Sequence, residues 1–566
     1  VTFGVMEGRV VSWATGRGVA NAELNYEHRG ANHAIESAAD GTFLFSPSES
    51  GTYRLAIVTA EGFLPFAPAW GTSPVVFVAR PGARLRDVLI YLTPVVDYDG
   101  IVLDPKDNPV VAAKVRVLGD ASGSVVGDRP EVTSDEHGTF RIAAPDESRL
   151  EARHPDFAPG RADVDFRVQA TRRITVRMKP LPEGVDGLLT IRGTIVDPDG
   201  APAPEAEITA LGPFGPGARP STRRDRSDLD GNFEVRGLMP GTYVVAGKYE
   251  DYIPATAGGV EAGTSDVRLK LGRGGSISGT VRAVDTGEPV PSFTVIVTGG
   301  TLHFKSGDTP ISIGMRGISH GGGSTFLDAN GEYRIDGVAA GDYEVRVAAF
   351  GYARSEKKKV SVTSADANVS FELSRGGHVH GRVIDEVSQE PLVGARVSRE
   401  GAYGRAESPV PVVASTTTDE RGEFELGGLA PGLQSLFAAA VGHHGRLISS
   451  LDVDEGGDIG PLTIALAPLV AGEDAKMELT GIGAVLKSEK DVLVLLDLLD
   501  GGGAFEAGLE AGDGILEIEG TPVSELSLND AVNLIRGPEG STIRLTVRKK
   551  NGDVVEIVTT RRRVRH

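Results

Sequence analysis

At 566 residues the chain has room for about four domains, and its 40% hydrophobic and 24% charged content is that of a globular protein. Its 75 glycines, about 13% against a usual ~7%, point to many tight turns between short strands and exclude a helix bundle. The absence of cysteine removes disulfides, thiolate metal sites and thiol nucleophiles, and a net charge of −20 spread along the chain argues against nucleic acid or an anionic membrane as partner. No apolar run reaches the ~18 residues of a membrane span; the densest, 492–499, is eight long and contains Asp497. The chain opens at Val1 without a charged and then apolar leader, so any export signal is expected to have been removed already. Membrane association would need an anchor or partner outside these residues.

One unit recurs five times. Its opening reads Gly8-Arg9-Val10-Val11, Gly100-Ile101-Val102-Leu103, Gly193-Thr194-Ile195-Val196, Gly279-Thr280-Val281-Arg282 and Gly381-Arg382-Val383-Ile384, with the glycines 92, 93, 86 and 102 residues apart. A second strand follows each opening, and then an acidic turn with a glycine and an aromatic two residues beyond it. These turns are Asp40 with Gly41 and Phe43, Asp135 with Gly138 and Phe140, Asp228 with Gly231 and Phe233, Asp328 with Gly331 and Tyr333, and Asp419 with Gly422 and Phe424. The carboxylate is expected to accept amides two residues on, the glycine to supply positive φ, and the aromatic to face inward. A further turn in four copies, such as Pro240-Gly241-Thr242-Tyr243, leads into strands of period-two alternation, such as Tyr343-Glu344-Val345-Arg346-Val347. Strands at this spacing make a β-sandwich of about ninety residues.

These motifs resemble the carboxypeptidase regulatory-like domain, a module of transthyretin-like, carbohydrate-binding-like fold. The resemblance runs over about residues 5–470 and is weakest in the second copy, where Pro145-Asp146-Glu147-Ser148 replaces the second turn. It implies fold and carries no peptidase activity. The boundaries read as 1–95, 96–181, 187–272, 274–375 and 376–468. The fourth copy holds a Gly-rich insertion at 299–324, with His303 and His320, which is either a binding loop or an unliganded decoration.

After 471 the rhythm changes. Gly481-Ile482-Gly483-Ala484-Val485, the Gly-rich 501–503, Gly512-Asp513-Gly514-Ile515 and a helical pattern at Leu528, Ala531, Val532, Leu534 and Ile535, capped by Ser527, follow in order. Residues 474–562 resemble a PDZ domain of the type found in bacterial C-terminal-processing proteases, with Gly514 standing where a larger residue is common. The fold class is therefore mainly β: a linear array of five immunoglobulin- or transthyretin-like sandwiches plus one α+β PDZ domain.

The PDZ resemblance implies that an extended peptide or protein C-terminus with an apolar end adds as a strand beside the helix. The amides of Gly481-Ile482-Gly483-Ala484 and the start of the strand at Val485 would receive the terminal carboxylate and the peptide backbone. Ile482, Ala484, Val532 and Ile535 would form the pocket for the last side chain, and Leu528 would face the third residue from the end. Gly481 and Gly483 are expected to keep side chains out of the carboxylate's position. In the resembled proteases the catalytic domain follows the PDZ, whereas only four residues follow Arg562 here.

No catalytic motif, cofactor or metal site is expected. His378, His380, His443 and His444 read as structural. Asp228-Leu229-Asp230-Gly231 fails as a calcium loop because Arg226 would occupy its first ligand position. The tail Arg561-Arg562-Arg563-Val564-Arg565 reads as a solvated end, and Lys114 is the one lysine placed where some similar sandwiches form a cross-link. Prolines at Pro180-Leu181-Pro182 and Pro468-Leu469-Val470 favour a semi-rigid rod on the order of 150 Å long. The expected function is that of a non-enzymatic, extracytoplasmic scaffold whose sandwiches space out a peptide-binding PDZ domain. The alternatives are a carbohydrate-binding surface or adhesion protein, with Trp13, Tyr26, Trp70 and Phe214 as aromatic candidates, and a trans-acting accessory of a peptidase.

Overall fold

The computed structural model describes residues 3–565 except 13–14, 67–74, 118–130, 146–147, 166, 168–172, 182–186, 215–219, 250, 300, 307–308, 315–322, 364–365, 400–414, 471, 490, 500 and 527. About 61% of the chain is strand and 3% helix. Trp13, Trp70, His320, Pro182 and Ser527 lie outside the described residues.

All five units share one pairing rule. The opening strand pairs antiparallel with the strand after the acidic turn and parallel with the last strand of the unit. In the first unit Val5–Ser12 lies between Thr42–Phe45 and Arg84–Leu103. In the third, Leu189–Val196 lies between Asn232–Leu238 and Val267–Lys270. In the fifth, Gly377–Asp385 lies between Glu423–Leu429 and Asp458–Leu466.

The turn works as expected and adds a detail. The carboxylate of Asp135 accepts the amides of His137 and Thr139 at 2.9 and 2.7 Å, and Asp419 accepts those of Arg421 and Glu423 at 2.8 and 2.9 Å. Both carboxyls lie below their ordinary range, Asp135 chiefly through the Thr139 hydroxyl and then the Thr139 amide, and Asp419 through the Glu423 and Arg421 amides. The aromatic packs inward across the opening glycine: a Cβ on Gly8 would lie 2.6 Å from the ring of Phe43, and one on Gly100 2.2 Å from that of Phe140. One signature was missed at the sequence level, a buried hydroxyl just before the turn. Ser134 receives the Ala113 amide and donates to the Val110 carbonyl; Ser37, Ser227 and Thr418 do the same in their copies. The fourth copy has Leu327 instead.

Leu327 explains why the molecule is not a rod. The strand Ser324–Leu327 of the fourth sandwich pairs parallel with Val75–Ala79 of the first, merging the two into one eight-stranded sheet. Leu327 is fully buried in the core of the first sandwich, while Val76 packs on the core of the fourth. Arg80 then reaches the buried turn carboxylate of Asp328 at 2.8 Å and Glu332 at 2.6 Å. The chain is folded back on itself, and the expected rod is corrected. Short proline-bearing linkers limit local flexing but do not stop distant units from meeting.

Other contacts tighten the arrangement. The boundary read at 95/96 falls inside one unbroken strand, Arg84–Leu103, which serves the first and second sandwiches in turn. Between the second and third, Glu151 is fully buried among Arg116, Arg153, Arg161 and Arg223, at 2.6–3.4 Å. Arg54 of the first pairs with Asp251 of the third at 2.6 Å. The second sandwich also meets the fifth, where the Gly442 amide donates to the Arg167 carbonyl at 2.7 Å.

The insertion of the fourth copy contains a hairpin, Thr301–Ser306 with Thr309–Gly314. Tyr26 is a core residue, stacked on Phe45 at 4.5 Å, and so is no glycan platform; Phe214 is half-buried at a strand end. Lys114 pairs with Glu131 at 3.2 Å.

Candidate functional site

The PDZ domain's own sheet runs in the order Ala484–Glu489, Val492–Leu498, Gly514–Ile518, Thr542–Arg548, Val554–Thr560. Two short helices accompany it, α1 (Gly503–Glu506) and α2 (Leu528–Ile535). The strand Ala484–Glu489 ends the sheet and, among the described residues, pairs only with Val492–Leu498. Its other edge carries main-chain donors and acceptors with no ladder partner, the requirement for accepting an added strand.

Hydrogen bonds set the direction of the loop amides. The Ala504 amide donates to the Ile482 carbonyl at 2.7 Å, and the Leu499 amide donates to the Gly483 carbonyl at 2.8 Å. In a trans peptide the N–H points opposite to the C=O. Both carbonyls are tied down inside the domain, so the Gly483 and Ala484 N–H groups point away from it. Among the described residues, neither the Ile482 nor the Gly483 amide has an acceptor. Successive amides turned outward in this way are the geometry that an anion-binding nest requires.

The glycines of the loop differ in their surroundings. Gly483 has φ +73°, and a Cβ there would lie 2.6 Å from the Gly502 Cα, so backbone packing by itself excludes a side chain. At Gly481 a Cβ would meet only Arg536 and Leu479 at 3.9 Å. Gly481 ends the strand Met477–Gly481 and faces Arg562 in the tail strand. Gly514, the departure from the PDZ pattern, accommodates Val492, whose Cγ1 would lie 2.6 Å from an added Cβ.

The side chains sort by depth. Ile482 and Ile535 are buried in the domain core with Ala531, and Ala484 packs against that core half-buried. Val532 is half-buried and Leu528 is 43% exposed at the first position of α2. Val485 is half-buried and, by strand alternation, faces the side opposite Ala484. Leu486, two residues beyond Ala484 and packed on the same core, belongs to the groove side and was missed, although period two would have found it.

A second missed residue is Arg561. Its guanidinium donates to the carbonyls of Leu534 and Ile535, both at 2.9 Å, and of Thr542 at 2.8 Å. It thereby satisfies the open carbonyl end of α2 and pins that helix to the last strands.

The tail is no solvated end, which corrects the expectation. Arg562–Arg565 is a strand paired with Met477–Gly481, which in turn extends the sheet of the fifth sandwich through Gly445–Val453. Arg563 pairs with Glu386 of that sandwich at 2.6 Å, and Arg565 with the buried Glu478 at 2.7 Å. Phe437, Ala439 and Leu447, with Met477 and Leu479, form a small core at the junction.

The histidines pair locally. His380 lies 3.0 Å from Asp458, and His443 Nε2 lies 2.9 Å from Asp385. Fully buried His444 accepts the Lys476 amide at 3.1 Å. Arg167 of the second sandwich donates to the Lys476 carbonyl at 3.1 Å. The PDZ groove is thus mounted on a fixed base made of two sandwiches.

The fold and groove define a tandem β-sandwich protein that carries a C-terminal PDZ domain. The carboxypeptidase regulatory-like domain matches residues 99–179, 190–272, 276–374 and 378–467, more than half of the chain, which therefore belongs to that family. The first sandwich lies outside those matches yet repeats their strand pairing. A PDZ domain matches residues 498–549.

Over 87 residues the chain is 39% identical to a carboxyl-terminal-processing protease of Picosynechococcus sp., covering 15% of this chain and 21% of that protein. Over 77 residues it is 35% identical to a carboxy-terminal-processing protease of Bartonella bacilliformis, covering 14% and 18%. The chain thus spans about a fifth of the length of these relatives, and the likeness lies in the PDZ domain. The PDZ domain of the carboxy-terminal protease from Vibrio cholerae, solved in complex with peptide, is 34% identical over 16% of this chain and 99% of that one, with a TM-score of 0.15.

Proposed function

We propose that this chain is a non-enzymatic, extracytoplasmic binding protein whose sandwiches form a rigid base for a PDZ groove that captures apolar-ended polypeptide C-termini. The outer edge of the strand Ala484–Glu489, which has no ladder partner among the described residues, with loop amides turned outward beside the apolar face of α2, carries this reading. A peptide laid antiparallel to that strand gains a ladder of main-chain bonds. Its terminal carboxylate meets the Gly483 and Ala484 amides, and its last side chain meets Ala484, Leu486 and Val532. Leucine at 528 offers no hydrogen bond to a Ser or Thr hydroxyl and favours an apolar residue two positions before the end.

The test compares one apolar-ended peptide as free acid and as C-terminal amide, titrated against the full chain. The free acid should bind at least about tenfold tighter, the value of one charge-assisted bond of ~1.4 kcal/mol or more. Equal affinity of the two forms, or no binding of either, would overturn the reading. A second reading, a trans-acting accessory that presents substrate tails to a peptidase, is favoured by the likeness of the groove-bearing domain to those of C-terminal-processing proteases. It predicts that adding this chain raises cleavage of apolar-tailed substrates by such a protease.

A further inference from the structure

The seam between the PDZ domain and its base depends on one imidazole ring. His444, on the fifth sandwich, is fully buried where the strand Met477–Gly481 begins. Its Nδ1 accepts the Lys476 amide at 3.1 Å, so the neutral ring carries its proton on Nε2. That Nε2 is buried without a hydrogen-bond partner, 3.5 Å from Glu473. A second proton has only Nδ1 to go to, and an N–H there faces the Lys476 N–H, donor against donor.

The Lys476 peptide is also where the seam is fastened. Its N–H is held by His444, and its carbonyl accepts the Gly445 amide at 2.9 Å and the Arg167 guanidinium at 3.1 Å. Directly after it, Met477–Gly481 joins the fifth sandwich through two register pairs, Gly445 with Met477 and Arg446 with Glu478. The same strand joins the tail strand Arg562–Arg565 through four. The ladder toward the sandwich is the shorter, so a strand freed there leaves together with the PDZ domain.

The charged groups around the ring come from both sides of this seam. Glu473 precedes the strand, Glu478 lies on it, Arg565 is on the tail strand and Arg167 on the second sandwich. Glu478 is engaged by Arg565 and Arg167 by Asp165, each at 2.7 Å. Burial and then Arg565 hold the ring below its ordinary pKa against Glu473 and Glu478, and Arg167 adds to the depression.

We propose that His444 is an acid-operated latch: its protonation expels the Lys476 amide, opens the two-pair ladder and lets the PDZ domain swing free of the fifth sandwich on the residues that connect them. Once released, the ring is solvated and takes up its proton at the ordinary value. The ratio of released to latched chains should therefore rise by up to about tenfold per pH unit below ~6.5, levelling off once the latched ring titrates too. The latch acts whatever the groove binds.

The chain has no cysteine, so introduced ones report alone. Glu455→Cys in the fifth sandwich and Glu525→Cys in the PDZ domain, both at exposed positions, carry a donor and an acceptor dye. Single-molecule energy transfer reads their separation between pH 7.5 and 5. The otherwise wild-type chain should give one narrow population at pH 7.5 and a second, broad one that grows below pH 6.5 and vanishes on return to neutral. His444→Asn keeps an acceptor for the Lys476 amide and takes up no proton, so its second population should not grow; His444→Gln serves if that variant does not fold. A control pair within the fifth sandwich, Glu420→Cys with Glu455→Cys, should hold its separation throughout. A single unchanged population down to pH 5, undiminished growth in His444→Asn, or a spread of the control pair together with the first would overturn the latch.

Discussion

Arg80→Glu perturbs the fold-back of the first sandwich onto the fourth directly. The substitution removes the partner of Asp328, which is 1% exposed, and sets a third carboxylate beside Asp328 and Glu332. Removing one member of a buried pair costs about 3–5 kcal/mol; Arg80 is 33% exposed, so about 2–3 kcal/mol is the fitting share. The remaining hold comes from the short shared ladder and from Leu327, whose burial is worth roughly 1.5–3 kcal/mol. The two contributions are similar, so Arg80→Glu should leave the contact marginal, and adding Leu327→Ser should open it. Small-angle scattering reads the outcome. A compact body of this length has a radius of gyration near 24 Å, whereas a rod of ~150 Å has one of about 43 Å. The wild type should lie near the first value, and the double variant should be larger by several ångströms. A wild-type value near that of the rod, or a double variant unchanged in both scattering and melting, would refute the reasoning.

Three further outcomes follow from the same structure. Glu151→Gln leaves Arg116, Arg153, Arg161 and Arg223 without their shared charge and should cost about 3–5 kcal/mol, read as a lower denaturation midpoint with the second and third sandwiches uncoupled. Arg561→Met frees the carbonyl end of α2 and should weaken apolar-ended peptides severalfold, with faster amide exchange confined to that helix. Burial and the nearby Arg565 and Arg167 hold His444 below its ordinary pKa, against the opposing pull of Glu473 and Glu478. Its contribution is therefore present above pH ~6.5 and lost as the pH falls toward the folded value, at up to about 1.4 kcal/mol per pH unit. His444→Asn, which can still accept the Lys476 amide, should flatten the fall in stability between pH 7 and 5; an unchanged slope would remove His444 as its source.

Local chemistry was legible in the sequence wherever one turn or strand decides it. Asp135, Gly138 and Phe140 announce their hairpin, and Leu528, Ala531, Val532 and Ile535 announce α2, because these signals act within a few residues. What escaped depends on partners far along the chain. Arg80 and Asp328 are 248 positions apart, and nothing near either names the other. One hint was present, an aliphatic Leu327 where the other copies place a hydroxyl, but its meaning needs the core of another domain. The tail arginines misled in the same way: charge at a chain end is usually solvated, and only the positions of Glu386 and Glu478 show otherwise. At Gly483 the structure adds a cause that the local sequence does not show, since a side chain there would meet the backbone of Gly502.

The merged sheet also has a history during synthesis. Val75–Ala79 leaves the ribosome with one rim unclaimed, and the segment that will cover it, Ser324–Leu327, is made some 250 residues later. At ~5–20 residues per second that interval is roughly 12–50 s, during which a nascent molecule offers an adhesive border to its neighbours. Crowded polysomes should therefore favour exchanged dimers, in which the fourth sandwich of one newborn chain seals the first of another.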